Sequence, residues 1–354
     1  MKIVSCAHKK SIKMKSLIKI VLVLGLFIGV YSCQEDDGVS LQEDRPYEEV
    51  YLEDIAEIED FLHTHYATID SEYNVIFTQI PEGGTQTPIS DMDELEFKEV
   101  ELHDITYKVY YLNLNEGVGE NVTRVDSSYV SYKGFTFNKT TVDDVDTFEQ
   151  TVFDSKSSPV WFSLDEVIRG WTEIIPKFKT GTFTSMTDGT ISFDDFGAGV
   201  MFIPSGLAYY SSGTLAIGAY TPVVFSFKLH NLRRRDHDRD GILSMYEYGD
   251  PLDTDRFNKD AIDTDEDERP DYLDVDDDGD GVLTKVEIKK PLPLLPGQGT
   301  SLNYPFDPIA DDPTTTLVDE TEPKGIPSDS GDGTTPTRIR RHLDKTSKPP
   351  FTTY

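Results

Sequence analysis

From Asp104 to Leu232 the chain is cut into short runs in which β-branched and aromatic residues alternate with polar ones. That texture limits the fold more than any other feature. Ile105 to Tyr111 reads Ile-Thr-Tyr-Lys-Val-Tyr-Tyr, and Tyr129 to Tyr132 and Val223 to Leu229 have the same character. Period-two alternation places every second side chain on one face of a pleated strand. With only one short helical stretch near Leu164 to Ile168, such runs make an antiparallel sheet with little helix, an α+β arrangement.

The flanks differ from this segment. Tyr47 to Tyr66 carries Val50, Leu52, Ile55, Ile58, Phe61, Leu62 and Tyr66 near helical spacing, which predicts an amphipathic packing helix. Ile80 to Met92, with two prolines and two glycines, reads as a loop. A dense acidic stretch with Asp-Gly pairs runs from Arg233 to about Lys290, and after Pro291 prolines, glycines and Ser/Thr dominate. The expected organisation is 1–32 a signal peptide, 33–46 a tether, 47–103 a helix and extension, 104–232 the β-rich domain, 233–290 the acidic region and 291–354 a disordered tail.

The formal charge is −32, with 33 basic residues against 65 acidic ones, which argues against nucleic acid as a partner and for divalent cations. The basic patch Arg338 to Arg341 is too short to change this. At the N-terminus, Met14 to Lys19 is a basic start, and Ile20 to Val30 is an apolar run of signal-peptide length. Met14 is a second candidate start, because residues 1–13 add a basic stretch that a signal peptide does not need. Val30-Tyr31-Ser32-Cys33 resembles a bacterial lipobox, which implies lipidation of Cys33 and a membrane anchor. The alternative, a transmembrane anchor, needs roughly 20 apolar residues. Cleavage before Cys33 removes six lysines and Cys6 and takes the charge from −32 to −38. No thiol is then left for a disulfide or a nucleophile.

Five motifs in order carry a resemblance. They are Tyr129-Val130-Ser131-Tyr132-Lys133-Gly134, Phe153-Asp154-Ser155, Val167-Ile168-Arg169-Gly170-Trp171, Ile203-Pro204-Ser205-Gly206-Leu207-Ala208-Tyr209, and Ile217 with Val224-Phe225. Together they resemble the signature of FKBP-type peptidyl-prolyl cis–trans isomerases. The resemblance covers a little over a third of the chain. It implies an antiparallel sheet wrapped on a short helix whose Trp171 floors an apolar pocket. Tyr132, Phe153, Val167, Ile168, Trp171, Tyr209, Ile217 and Phe225 would line that pocket. The Ile168 backbone N–H and the Tyr209 hydroxyl would hold substrate carbonyls, and Asp154 would sit at the rim. Three departures stand out: Val160 where the family has an aromatic, Tyr210 where it has Gly, and about fourteen extra residues within Thr182 to Gly199.

Two stretches of the acidic region fit a twelve-residue calcium loop. The first supplies Asp236, Asp238, Asp240, Ile242 (through its carbonyl), Ser244 and Glu247; the second supplies Asp276, Asp278, Asp280, Val282, Thr284 and Glu287. Such a loop needs oxygens at positions 1, 3 and 5, a Gly at 6, a backbone carbonyl at 7 and a bidentate Glu at 12. Gly241 and Gly281 stand at position 6. The pattern resembles EF-hand loops. Asp263, Asp265 and Asp267 between them resemble thrombospondin type 3 repeats but lack the Gly. Gly249-Asp250-Pro251 cuts off an exiting helix, so structural Ca²⁺ that stiffens the loops is expected in place of a switch.

The expectation is therefore an isomerase lipoprotein of the cell envelope, outer-membrane because Gln34 follows Cys33, acting on proline-containing polypeptide clients. The alternative is a catalytically weak binding or chaperone module on a calcium-stabilised surface lipoprotein.

Overall fold

The structure is a computed structural model and describes residues 44–142, 145–249, 253, 255–294, 300–306, 325–327 and 339–351. The expected signal peptide, lipobox and most of the tether lie outside the described residues. Among the described residues, no helix is long and apolar enough to cross a membrane.

Six strands form one antiparallel sheet: β3 (Leu95–Leu102), β4 (Ile105–Asn115), β5 (Ser127–Val142), β6 (Val145–Ser163), β9 (Gly197–Ile203) and β10 (Val223–Arg233), in the order β3-β4-β9-β10-β5-β6. Two small hairpins stand apart from it, β1 (His65–Ile69) with β2 (Val75–Gln79) and β7 (Thr182–Ser185) with β8 (Ile191–Asp194). A mostly antiparallel sheet with few helices is compatible with the α+β fold expected. The sheet starts at Leu95 and not at Asp104, because β3 pairs with β4 from Leu95↔Leu112 to Leu102↔Ile105. Charged residues at half of its eight positions hid this strand: Glu96, Lys98, Glu99 and Glu101 lie on an edge strand of the sheet.

Both faces of the sheet are covered. On one face Val109, Tyr111, Met201, Ile203, Phe225 and Phe227 pack around helix α2 (Arg169–Ile174). On the other, Leu112, Phe135, Val200, Phe202 and Val224 pack under helix α1 (Tyr47–Thr64) and the β1–β2 hairpin. Neighbouring residues on β9 and β10 go to opposite faces, as the pleat requires, and every residue of β9 is buried. In α1 the buried positions Val50, Asp54, Ile58, Phe61 and Leu62 form one stripe. Phe61 stacks on Phe137 with ring centroids 4.6 Å apart. The predicted packing helix is thus an integral layer of this fold.

The helix expected at Leu164 to Ile168 lies one turn later, at Arg169–Ile174. Residues 164–168 are the turn that enters it, with Leu164 buried and the Thr172 hydroxyl donating to the Leu164 carbonyl at 2.6 Å. Gly170 is fixed by packing, since a Cβ there would lie 2.5 Å from Ile203 Cγ2. The extra residues form the β7–β8 hairpin. Its Phe193 packs toward Tyr129 (5.8 Å) and His230 (5.3 Å).

Among the described residues beyond β10 the helices are single turns, α3 (Ser244–Glu247) and α4 (Thr284–Glu287) among them. Their apolar contacts amount to Ile242, Ile288 and Ile326 with Tyr246, Tyr304 and Phe306 around them. The tail is not featureless where it is described: buried Arg341 donates to the Glu287 carbonyl and, at 2.9 Å, to the Lys289 carbonyl just beyond α4.

Candidate functional site

All nine residues that the resemblance assigns to catalysis line one cavity of about 510 Å³. Tyr132 comes from β5, Phe153 and Asp154 from β6, and Val167 and Ile168 from the turn before α2. Trp171 comes from α2, Tyr209 and Ile217 from the long β9–β10 connection, and Phe225 from β10. Phe162, Glu166, Thr214 and Ala216 complete the wall. The last three had no motif signal, because they are ordinary polar or small residues beside motif positions.

The floor is built from rings meeting edge to face. Trp171 lies 5.2 Å from Phe225, 5.3 Å from Tyr132 and 5.5 Å from Phe162, with interplanar angles of 86°, 90° and 67°. Phe153 meets Phe225 at 5.4 Å and 85°. Such pairs favour their quadrupoles by about 0.5–1.5 kcal/mol each beyond area burial. Gly134 makes this possible, because a Cβ there would lie 2.6 Å from Phe153 Cζ and 2.7 Å from Phe225 Cε1. The Tyr-x-Gly motif thus clears space for two rings.

The polar groups sit at the edge. The Tyr132 hydroxyl donates to Asp154 Oδ2 at 2.5 Å, and Lys156 Nζ lies 3.8 Å from Asp154 Oδ1. Burial, then the Tyr132–Asp154 contact, pushes the Tyr132 phenol well above its ordinary range. Burial and the nearby Asp154 charge raise Tyr209 too, so its hydroxyl remains a proton donor through neutral pH. Tyr209 follows the single turn Ser205–Leu207, and that turn is held by α1: the Ser205 N–H and hydroxyl donate to buried Asp54 at 2.7 and 2.6 Å. Asp54 carried no motif signal.

None of the three sequence departures lines the cavity. Val160 pairs with Val130 on β6, across a register shift from Tyr132. Tyr210 adopts φ +46°, the left-handed region that explains a Gly preference. Its ring turns to α1, stacking on Tyr47 at 4.0 Å. The β7–β8 hairpin also lies outside the lining.

The acidic loops form a second candidate site. Gly241 and Gly281 take φ +109° and +92° at the sharp turn. The aspartates at the third and fifth positions use one oxygen each to hold the loop: Asp238 Oδ1 accepts from the Asp240 N–H, and Asp240 Oδ1 from the Ile242 N–H at 2.7 Å. Asp278 and Asp280 repeat this pattern at 3.1 and 2.6 Å. Their other oxygens are buried without a hydrogen-bond partner, as are both oxygens of Glu247 and of Glu287 and one each of Asp236 and Asp276. Burial, then repulsion from neighbouring carboxylates, raises Glu247, Glu287, Asp238, Asp240 and Asp278 above the usual carboxylate range. Of these carboxylate oxygens, Asp280 Oδ2 has Lys348 Nζ 3.6 Å away; buried carboxylates without a partner are costly unless a proton or a cation joins them. A hard, oxygen-seeking cation is the complement of this donor set. Ser244 and Thr284 face their own loops, their hydroxyls accepting from the N–H groups of His237 at 3.1 Å and Asp277 at 3.2 Å.

The loops touch the elements that carry the cavity. Tyr248, next to Glu247, accepts a hydrogen bond from Arg124 at 3.2 Å. Arg124 pairs with buried Glu173 on α2, two residues from Trp171. Lys98 (2.5 Å) and Arg169 (2.7 Å) join the same carboxylate. Burial alone would raise Glu173, but Arg124, Lys98 and Arg169 outweigh it and hold it below its usual range. Burial also lowers Lys98, so the permanently charged Arg124 is the firmer partner. His237 Nε2 lies 3.1 Å from Asp165 Oδ2, beside the cavity wall.

Comparison with known proteins gives matches of limited extent. A family model described as BamM C-terminal matches residues 237–317. No curated protein matches. Among solved structures, a peptidyl-prolyl cis-trans isomerase from Pseudomonas syringae pv. tomato is similar at 20% identity and TM-score 0.32, over 54% of this chain and 99% of that one. FkpA from Escherichia coli is similar at 28% identity and TM-score 0.26, over 35% of this chain and 48% of that one. The N-terminal domain of FKBP42 from Arabidopsis thaliana is similar at 13% identity and TM-score 0.26, over 35% and 86%.

Proposed function

We propose that the chain is an FKBP-type peptidyl-prolyl cis–trans isomerase that acts on proline-containing segments of cell-envelope or secreted proteins. One observation carries the reading: nine residues scattered from Tyr132 to Phe225 converge on one aromatic-floored cavity. Rotation about an X-Pro amide must break resonance, with a barrier of about 18–20 kcal/mol. No nucleophile is needed. An apolar cavity strips water from the amide and favours the less polar twisted state. Trp171, Phe225 and Tyr132 supply the apolar floor. Tyr209 donates to a substrate carbonyl, and the Ile168 N–H takes a second. Asp154, tied to Tyr132, biases the rim electrostatically. The departures that would favour a catalytically weak binding module, Val160 and Tyr210, lie outside the lining, so the enzyme is the preferred reading.

In this reading the acidic loops take Ca²⁺ as a structural ion, supported by their orphaned buried carboxylates. Residues 1–32 are a lipoprotein signal peptide, and the lipidated Cys33 that follows it holds the mature chain on the outer membrane. The test is a protease-coupled proline-peptide assay on the mature chain. A rate above background, inhibited by a macrocyclic FKBP ligand, is expected; a folded protein with neither rate nor ligand binding overturns the proposal. Replacing Cys33 by Ser should abolish incorporation of labelled fatty acid, and continued labelling rejects the anchor.

A further inference from the structure

Asp277 stands at the second position of the second acidic loop, a position that the twelve-residue pattern does not use as a ligand. It is 2% exposed, and neither of its carboxylate oxygens has a hydrogen-bond partner. It does not join its own loop's acids. One oxygen of Asp277 lies with one each from Asp238, Asp240 and Glu247 of the first loop, all within 4.8 Å of one another. Its neighbour Asp276 gathers instead with Asp278 and Asp280. Two consecutive carboxylates thus point into two different clusters. Their backbone is pinned between them: the Asp277 N–H donates to Thr284 Oγ1, and the Thr284 N–H donates to the Val275 carbonyl at 3.0 Å. In the first loop the same position is His237, which faces Asp165, so the sharing runs in one direction only.

We propose that Asp277 is a ligand of the cation held by the first loop, so that this site is assembled from both loops and is incomplete in 236–247 alone. The inference rests on the calcium reading above. Four carboxylates brought this close, three of them buried and Asp238 half-buried, repel one another unless a divalent cation sits among them. An added charged ligand raises affinity, and a ligand borrowed from the next loop makes ion binding and loop–loop docking one event. The first site then requires the second loop to be folded, whereas the second site supplies all its own ligands.

The test is calorimetric titration of CaCl₂ into the chelator-treated mature chain, using backgrounds with one site disabled. In Glu287→Gln, only the first site remains. Adding Asp277→Asn there should weaken that site by at least about tenfold, through loss of a charged ligand. In Glu247→Gln, only the second site remains, and adding Asp277→Asn should leave its affinity within about twofold. If Asp277→Asn spares the first site, or weakens the second instead, Asp277 is a structural residue of its own loop and the inference is overturned. No heat from the wild type at millimolar calcium rejects the calcium reading itself and this inference with it. Binding at two sites with Asp277 indifferent rejects only the shared ligand.

Discussion

At Trp171, three aromatic rings meet the indole edge to face within 5.2–5.5 Å. At Glu247, both carboxylate oxygens are buried with no hydrogen-bond partner, and three aspartates converge beside them. The first region is held by its own side chains: the sheet carries an apolar layer on each face, and buried charges such as Glu173 and Asp54 have partners within the fold. Among the described residues, the second has three buried isoleucines for its core and many buried charges. A region of the first kind is stable on its own terms; one of the second kind requires something from solution. The two should therefore respond oppositely to ion removal, mutation and pH, and each experiment below probes that contrast.

The largest effect expected is from chelation. An ion at 100 times its Kd stabilises the folded form by about 2.7 kcal/mol per site, and the loops have little else. Removing divalent cations should expose residues 234–290 to protease and lower the first thermal transition, while macrocycle binding at the cavity changes far less. Ion binding should also release protons, because burial and mutual repulsion raise Glu247, Asp277 and Glu287. Binding enthalpies should thus vary with buffer ionisation heat. Equal loss at the cavity and the loops would erase the distinction between the regions.

Trp171→Ala is next. It removes the floor and should cost about 3–5 kcal/mol of stability, with macrocycle binding lost in whatever folds. Calcium titration of the same variant gives the contrast: the loops should keep their affinity. If that also falls, the chain Tyr248–Arg124–Glu173 transmits the damage from α2.

The third concerns Asp54, the charge under the Tyr209 turn. Burial raises its pKa from 3.8 to about 6, against the opposing hydrogen bonds from Ser205. A raised carboxylate pKa means that the folded chain binds a proton the unfolded one has released. Its contribution is fully present below about pH 4 and is lost as pH rises to about 6. Asp54→Asn keeps an acceptor for Ser205 and removes the titration. The mutant should thus gain on the wild type by roughly 2–3 kcal/mol between pH 4 and 7. Denaturant midpoints that stay parallel across this range would show that Asp54 is not desolvated.

These cases also show what was legible in the chain. The cavity residues were readable because each motif pins a side chain to a fixed place on a strand or turn. Gly134 and Gly170 mark points where rings or Ile203 come too close for a Cβ. Position 6 of the acidic loops was readable for a similar reason. The start of α2 was misplaced because Leu164 is buried in the entering turn and mimics a helical apolar residue. β3 was missed because its edge is charged. Asp54 and Asp277 were missed for another reason: their roles depend on elements distant in sequence or on another loop, and no local spacing records that.

Tyr209→Phe should be modest. It removes one hydrogen bond worth about 0.5–1.5 kcal/mol net, so kcat/KM should fall roughly two- to tenfold. The loss should appear in kcat more than in KM if the bond tightens in the twisted state. A fall confined to KM would make Tyr209 a substrate anchor only.

Val160→Phe should have the smallest effect. The family places an aromatic near this position, and if that ring were what the site lacks, the substitution would raise activity. The register argues otherwise. Val160 pairs with Val130, and the next pair is Tyr132 with Lys156, so β6 shifts its register just beyond Val160. Phe162, not Val160, reaches the cavity and meets Trp171 at 5.5 Å. A larger side chain at 160 would therefore grow beside the wall and leave the floor as it is. The expected change in kcat/KM is under about twofold, that is, below roughly 0.4 kcal/mol. A rise of fivefold or more would mean that the cavity extends past Phe162 when substrate binds, and the wall would then have to be redrawn along β6.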